Sequence, residues 1–234
     1  MPRYHSRVDC GRACGKAIPC RRDLRYKASK QNNEGQMSRI FLTMALMAVL
    51  AGCGGGGGNS GSPRNLDNAC SILKQKPKYT RAFKRTERRW GVPVHVQMAT
   101  IHQESRFVSN ARTPFRFALG VIPMGRQSSA FGYSQALDGT WDEYLKSTGK
   151  RRAKRNDIAD ATDFMGWYMN QTRDRTGVAL TDTRNQYLAY HEGQTGYLRG
   201  SYNRKAWLLA VADKVEARGQ MYQSQLARCR VRGL

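Results

Sequence analysis

Five consecutive glycines, Gly54–Gly58, continued by Asn-Ser-Gly-Ser to Pro63, divide this chain into two unlike parts. A run without side chains propagates neither helix nor strand, and a Gly/Ser-rich stretch behaves as a flexible tether. Any packed structure therefore lies on one side of it or the other. The 234 residues leave room for one or two domains.

The stretch before the glycines is "MSRIFLTMALMAVLAGC", Met37 to Cys53. Arg39 supplies a short positive segment, and Ile40–Leu50 is apolar. That is too short for a bilayer, which takes roughly 20 residues, but it suits a signal peptide. Its end, Leu50-Ala51-Gly52-Cys53, resembles a bacterial lipobox, which implies cleavage before Cys53 and lipidation of its sulfur. Residues 1–36 then precede a signal peptide. They hold Cys10, Cys14 and Cys20, a poor zinc spacing with three thiolates only. The simplest account is an over-long start, with Met37 as the true beginning. The expected organisation is an extension at 1–36, a signal segment at 37–52, lipidated Cys53 with tether at 53–65, and one domain at 66–234.

Charge narrows the partners. The chain carries 40 Lys and Arg against 17 Asp and Glu, a formal +23. Residues 53–234 keep 30 basic and 14 acidic residues, so the folded part shares the bias. An anionic partner follows: nucleic acid, acidic lipid or an acidic wall polymer. "KRRAKR" at Lys150–Arg155 has no interleaved aromatics in a chain read as exported, so it is expected to be a solvated loop rather than a nucleic-acid patch.

Apolar spacing beyond residue 66 is helical, without a convincing strand. Tyr79, Phe83 and Trp90 stripe 78–90, and "GVP" (Gly91–Pro93) stops that helix and opens the next. Val94, Met98 and Ile101 stripe 94–104. Residues 105–131, with two Pro and two Gly, read as a long loop, the kind that is usually functional. Further helices are expected at 140–148, 157–175, 182–191 and 204–229, the last striped by Trp207, Val211 and Val215 and weakened by Gly219. Cys70 and Cys229 flank the domain; export favours a disulfide between them over two buried thiols.

Glu104 ends its helix, where the macrodipole disfavours negative charge. It lies about 60° from Ile101, at the border of the apolar stripe. A carboxyl there is partly desolvated, which raises its pKa and suits a general acid. Position alone fits a solvated helix-end glutamate better. His102, about 200° around the helix from Glu104, points elsewhere and reads as structural.

Three motifs stand in order: "ESRFVSNA" (Glu104–Ala111), "GYSQ" (Gly132–Gln135) and "AYHEG" (Ala189–Gly193). Together they resemble the soluble lytic transglycosylase (SLT) domain of the lysozyme-like superfamily, whose pattern is E-S-x-F, G-L-M-Q, A-Y-N-x-G, over roughly Thr80 to Val215. The resemblance implies a mainly α lysozyme-like domain with a deep glycan cleft and little or no sheet. It implies Glu104 as the single catalytic acid/base, Ser105 and Gln135 as substrate-positioning groups, and Tyr190 as the tyrosine that orients the glutamate. Tyr133 and His191 occupy motif positions and are candidates for the cleft. The implied substrate is peptidoglycan, cut between N-acetylmuramic acid and N-acetylglucosamine with a 1,6-anhydro product, by a monomer without metal or cofactor and with no nucleic-acid partner. Gly54 after the lipidated cysteine points to the periplasmic face of the outer membrane.

The departures open alternatives. Tyr133 and Ser134 stand for Leu-Met, and His191 for Asn. Glu192 adds a carboxylate that would suit a muramidase if it activates water, against a solvated or Arg-paired role. Substituted motifs also allow a non-catalytic glycan binder. In "RTPFRFALGVIPMGRQSSAF", phenylalanines can stack on sugars and arginines can grip carboxylates, or the loop merely covers the core.

Overall fold

The computed structural model describes residues 61–119 and 121–231. The extension, the signal segment, Cys53 and the tether up to residue 60 lie outside the described residues. Within them the fold is mainly α, with one two-stranded sheet. The helices are α1 (Ala69–Gln75), α2 (Pro77–Trp90), α3 (Val94–Ser105), α4 (Asp138–Thr148), α5 (Ile158–Thr176), α6 (Thr183–Glu192), α7 (Gln194–Leu198) and α8 (Ala206–Leu226). A short 3-10 turn, Ser201–Arg204, precedes α8.

Local chemistry sets these boundaries. Asn68 caps α1 by accepting from the Ser71 amide, and Pro77 starts α2 where a missing N–H does no harm. Gly91 ends α2 in the left-handed conformation. Asp157 caps α5, accepting from the Ala159 and Asp160 amides. Asp182 does the same for α6 through Asn185.

α3 is the centre of the domain. Val96 through Ile101 are six consecutive buried residues, two of them polar. Gln97 spends its amide on the carbonyls of Phe83 and Val92, and Thr100 on Val96. A helix buried all round shows no clean stripe, and α2, α5, α6 and α8 wrap it. A second, aromatic cluster joins Trp141 and Tyr144 of α4 to Phe164 and Trp167 of α5. Among its members Tyr144 donates to Asp163, a carboxylate 1 % exposed that also accepts from Trp90 and Arg89 and pairs with Lys150 at 2.7 Å.

Several expectations change here. Residues 105–131 are not all loop: β1 (Phe115–Ala118) and β2 (Ile122–Arg126) form an antiparallel hairpin. No strand signal marked it because little of it packs, and Pro123 and Gly125 interrupt its second strand. Gly219 does not interrupt α8; a Cβ there would stand 2.8 Å from Thr183 Oγ1, so the glycine lets α6 approach. Trp207 is exposed rather than part of the core stripe. "KRRAKR" is not simply solvated, since Lys150 neutralises the buried Asp163 and Arg155 is built into the cleft loop.

Cys70 of α1 and Cys229 after α8 are disulfide-bonded, with Cα atoms 5.7 Å apart. The same junction is tied by Arg218 to Asp67 and by Gln225, which accepts from the Ala69 amide and donates to the Asp67 carbonyl.

Candidate active site

Glu104 occupies the last turn of the core helix. Arg106 and Phe107 follow with positive φ (50° and 62°), turning the chain sharply so that Phe107 re-enters the core and stacks on Tyr79. The glutamate is thus carried to the edge of the core and no further. Its side chain is partly buried. Burial pushes the carboxyl up to about 7, while a hydrogen bond from the Tyr187 hydroxyl pulls the other way. The C-terminal end of the helix dipole adds to the penalty on its charge.

α6 faces this carboxyl with two tyrosines one turn apart, Tyr187 and Tyr190. Burial and the neighbouring glutamate raise both phenols above their ordinary range, so both are protonated donors at neutral pH. Their partners differ. Tyr187 serves Glu104, whereas Tyr190 donates to the Ser134 carbonyl at 2.6 Å. Of the two hydroxyls, that of Tyr187 acts on the Glu104 carboxyl, and Tyr190 bridges α6 to the "GYSQ" loop. The i, i+3 spacing on one helix face is the signal that could have singled out Tyr187.

The "GYSQ" loop is built from outside. Gly132 has φ 81°, and a Cβ on it would lie 2.1 Å from the Arg155 carbonyl oxygen, so only glycine fits. That same carbonyl accepts from the Tyr133 amide. The Arg155 guanidinium donates to the carbonyls of Ser129 and Ala136 and pairs with Asp138. Phe131 lies between the guanidinium groups of Arg112 and Arg155, 4.1 and 5.5 Å from its ring centre. Gln135, at φ 48°, closes the loop by donating to Ala111 and Gly132.

The candidate residues do not all meet in one place. Gln135, Tyr190, His191 and Glu192 line a pocket of about 230 Å³ together with Tyr168 and Phe164. Glu104 is not among the residues that line it. Tyr133 is turned into the core, its hydroxyl 3.1 Å from that of Tyr79, so it braces the loop and does not face the pocket. Ser105 is buried and returns its hydroxyl to the Ile101 carbonyl. His102 faces α8, where burial holds its imidazole down to about 4.

Glu192 is fully engaged. Lys205 reaches both its oxygens at 2.7 and 3.0 Å, His191 binds at 3.1 Å, and Ser201 donates a short hydrogen bond. Burial opposes its charge, but these partners prevail and hold the carboxyl down at about 2. Such a carboxylate is a weak base. Among the described residues no group of three or more His, Cys, Asp or Glu side chains is placed to hold a metal.

The Tyr187 contact has a measurable consequence. In Tyr187→Phe the one interaction lowering the Glu104 pKa is gone. The alkaline limb of any Glu104-dependent activity is expected to move to higher pH, measured as kcat/KM against pH. An unmoved limb with lowered activity would leave Tyr187 a packing residue only.

Comparison with curated proteins finds no match. The profile of the family described as the transglycosylase SLT domain, however, matches residues 41–229. With most of its length matched and a mainly helical fold, the chain belongs to the transglycosylase SLT domain family.

Proposed function

We propose that this protein is a peptidoglycan lytic transglycosylase with Glu104 as its general acid and base. The observation that carries the reading is a lone carboxyl at the end of a core helix, held near a pKa of 7 and tended by a tyrosine. Glu104 protonates the glycosidic oxygen between N-acetylmuramic acid and N-acetylglucosamine. The 2-acetamido carbonyl of the substrate stabilises the anomeric carbon in place of a protein nucleophile, as substrate-assisted glycosidases do. The ionised glutamate then takes the proton of the muramic C6 hydroxyl, whose oxygen closes on the anomeric carbon. The product is a 1,6-anhydro end, and no water is consumed.

The ion-paired state of Glu192 supports the anhydro outcome, because a muramidase of the inverting kind would need that second carboxylate free. We place the enzyme on the periplasmic face of the outer membrane, lipid-anchored through Cys53. Digestion of purified sacculi by the full chain, followed by mass spectrometry of the muropeptides, tests the chemistry. Anhydromuramic ends are expected. Reducing muramic ends would make it a muramidase, and an intact wall a glycan-binding lipoprotein.

A further inference from the structure

The hairpin β1–β2 has no role in the chemistry above, and its surface is unlike the rest of the molecule. Among the described residues ten large hydrophobics are exposed, and six lie within residues 115–126. Leu119 and Val121, at the tip, are 91 % and 76 % exposed. Phe115, Phe117, Ile122 and Met124 each stand about half in solvent. Scattered apolar residues on a surface need no explanation, but a contiguous patch marks an interaction site.

The setting of the patch is cationic. From Ser105 to Leu137 the chain has no acidic residue, while Arg106, Arg112, Arg116 and Arg126 fall within it. The arginines belong to the strands and base, not to the tip. Arg126 lies 4.2 Å above the Phe115 ring and donates to the Thr113 carbonyl. Arg112 is stacked on Phe131 at the foot of the hairpin. Backbone bonds from Gln127 to Pro114 and from Gly132 to Ala111 fix that foot to the cleft loop.

We infer that the hairpin is a membrane-docking element that inserts its tip into a bilayer rich in anionic lipid. Sugar rings are recognised by aromatic faces and paired polar groups, whereas Leu119, Val121, Ile122 and Met124 offer neither. An aliphatic tip below a collar of arginines matches the layering of a lipid interface, with acyl chains beneath anionic head groups. Docking there would set the "GYSQ" loop directly above the membrane surface, so that glycan strands lying close to the bilayer are the ones within reach. The inference does not depend on Glu104 turning over substrate.

Hydrogen–deuterium exchange of the full chain tests it. The amides of 115–126 should slow roughly tenfold or more on adding vesicles of phosphatidylglycerol and phosphatidylethanolamine. Phosphatidylcholine vesicles should protect them less. The variant L119D/V121D should lose the protection while keeping wild-type exchange in α3 and α5. Because the readout is confined to the hairpin, attachment through another segment does not mimic it once the variant is compared. Unchanged exchange at 115–126 would overturn the inference, as would equal protection by both lipid mixtures. Protection by soluble peptidoglycan fragments alone would make the hairpin a glycan wall, and protection that grows with protein concentration alone would make it a self-association surface.

Discussion

Replacing Glu104 by glutamine is expected to lower turnover of sacculi by roughly 10³-fold or more, with glycan affinity retained, because the side chain keeps its shape and loses only its proton transfer. The same variant is expected to gain stability in alkali. Burial pushes the folded carboxyl up to about 7, above the ordinary range of a glutamate. Its contribution to stability is therefore complete below the unfolded pKa and is lost as pH rises through the folded one. Above neutrality the wild type buries a charge at a cost on the order of 3 kcal/mol, and glutamine does not. Melting temperatures compared near pH 5 and near pH 9 should show the variant gaining on the wild type only at the higher pH. A variant that is active, or one whose relative stability ignores pH, would remove Glu104 from the centre of the mechanism. The two readouts are independent, since a buried glutamate without catalytic use would shift stability alone.

Breaking the Cys70–Cys229 bridge should have the largest effect on stability. The cross-link spans 159 residues, and the chain-entropy model assigns such a loop about 5 kcal/mol. For a domain of this size, each kcal/mol moves the midpoint by roughly 2–4 °C, so Cys70→Ala/Cys229→Ala should melt roughly 10–20 °C lower. Reducing the wild type with dithiothreitol should reproduce the drop and leave the double variant unchanged. Catalysis at low temperature should survive, because Glu104, Tyr187 and the "GYSQ" loop sit on other elements. A fall of only a degree or two would show that Arg218, Tyr222 and Gln225 hold the junction without the sulfurs.

How much of this was legible depended on what each residue does. Helices α2 to α6 and α8 could be placed because their apolar spacing is periodic, and the Gly91–Pro93 stop between α2 and α3 acts within a turn of where it stands. α1 and α7 are short, and tertiary docking rather than periodicity holds them. The hairpin was invisible because alternation arises only when one face is buried, and here neither is. Glu104 was legible by its motif, and its border position on the helix predicted the direction of its pKa. Tyr133 and Ser105 were misplaced because a motif names a neighbourhood, not the direction of a side chain. Arg155 was hidden inside a charge run, where nothing in the sequence separates a buttress from a solvated cation.

The bridge at 70 and 229 has a topological corollary. Cys70 and Cys229, near the two ends of the described fold, stand with their Cα atoms 5.7 Å apart. A short linker could join these ends and the chain be reopened elsewhere, giving a circular permutant with the same helix packing.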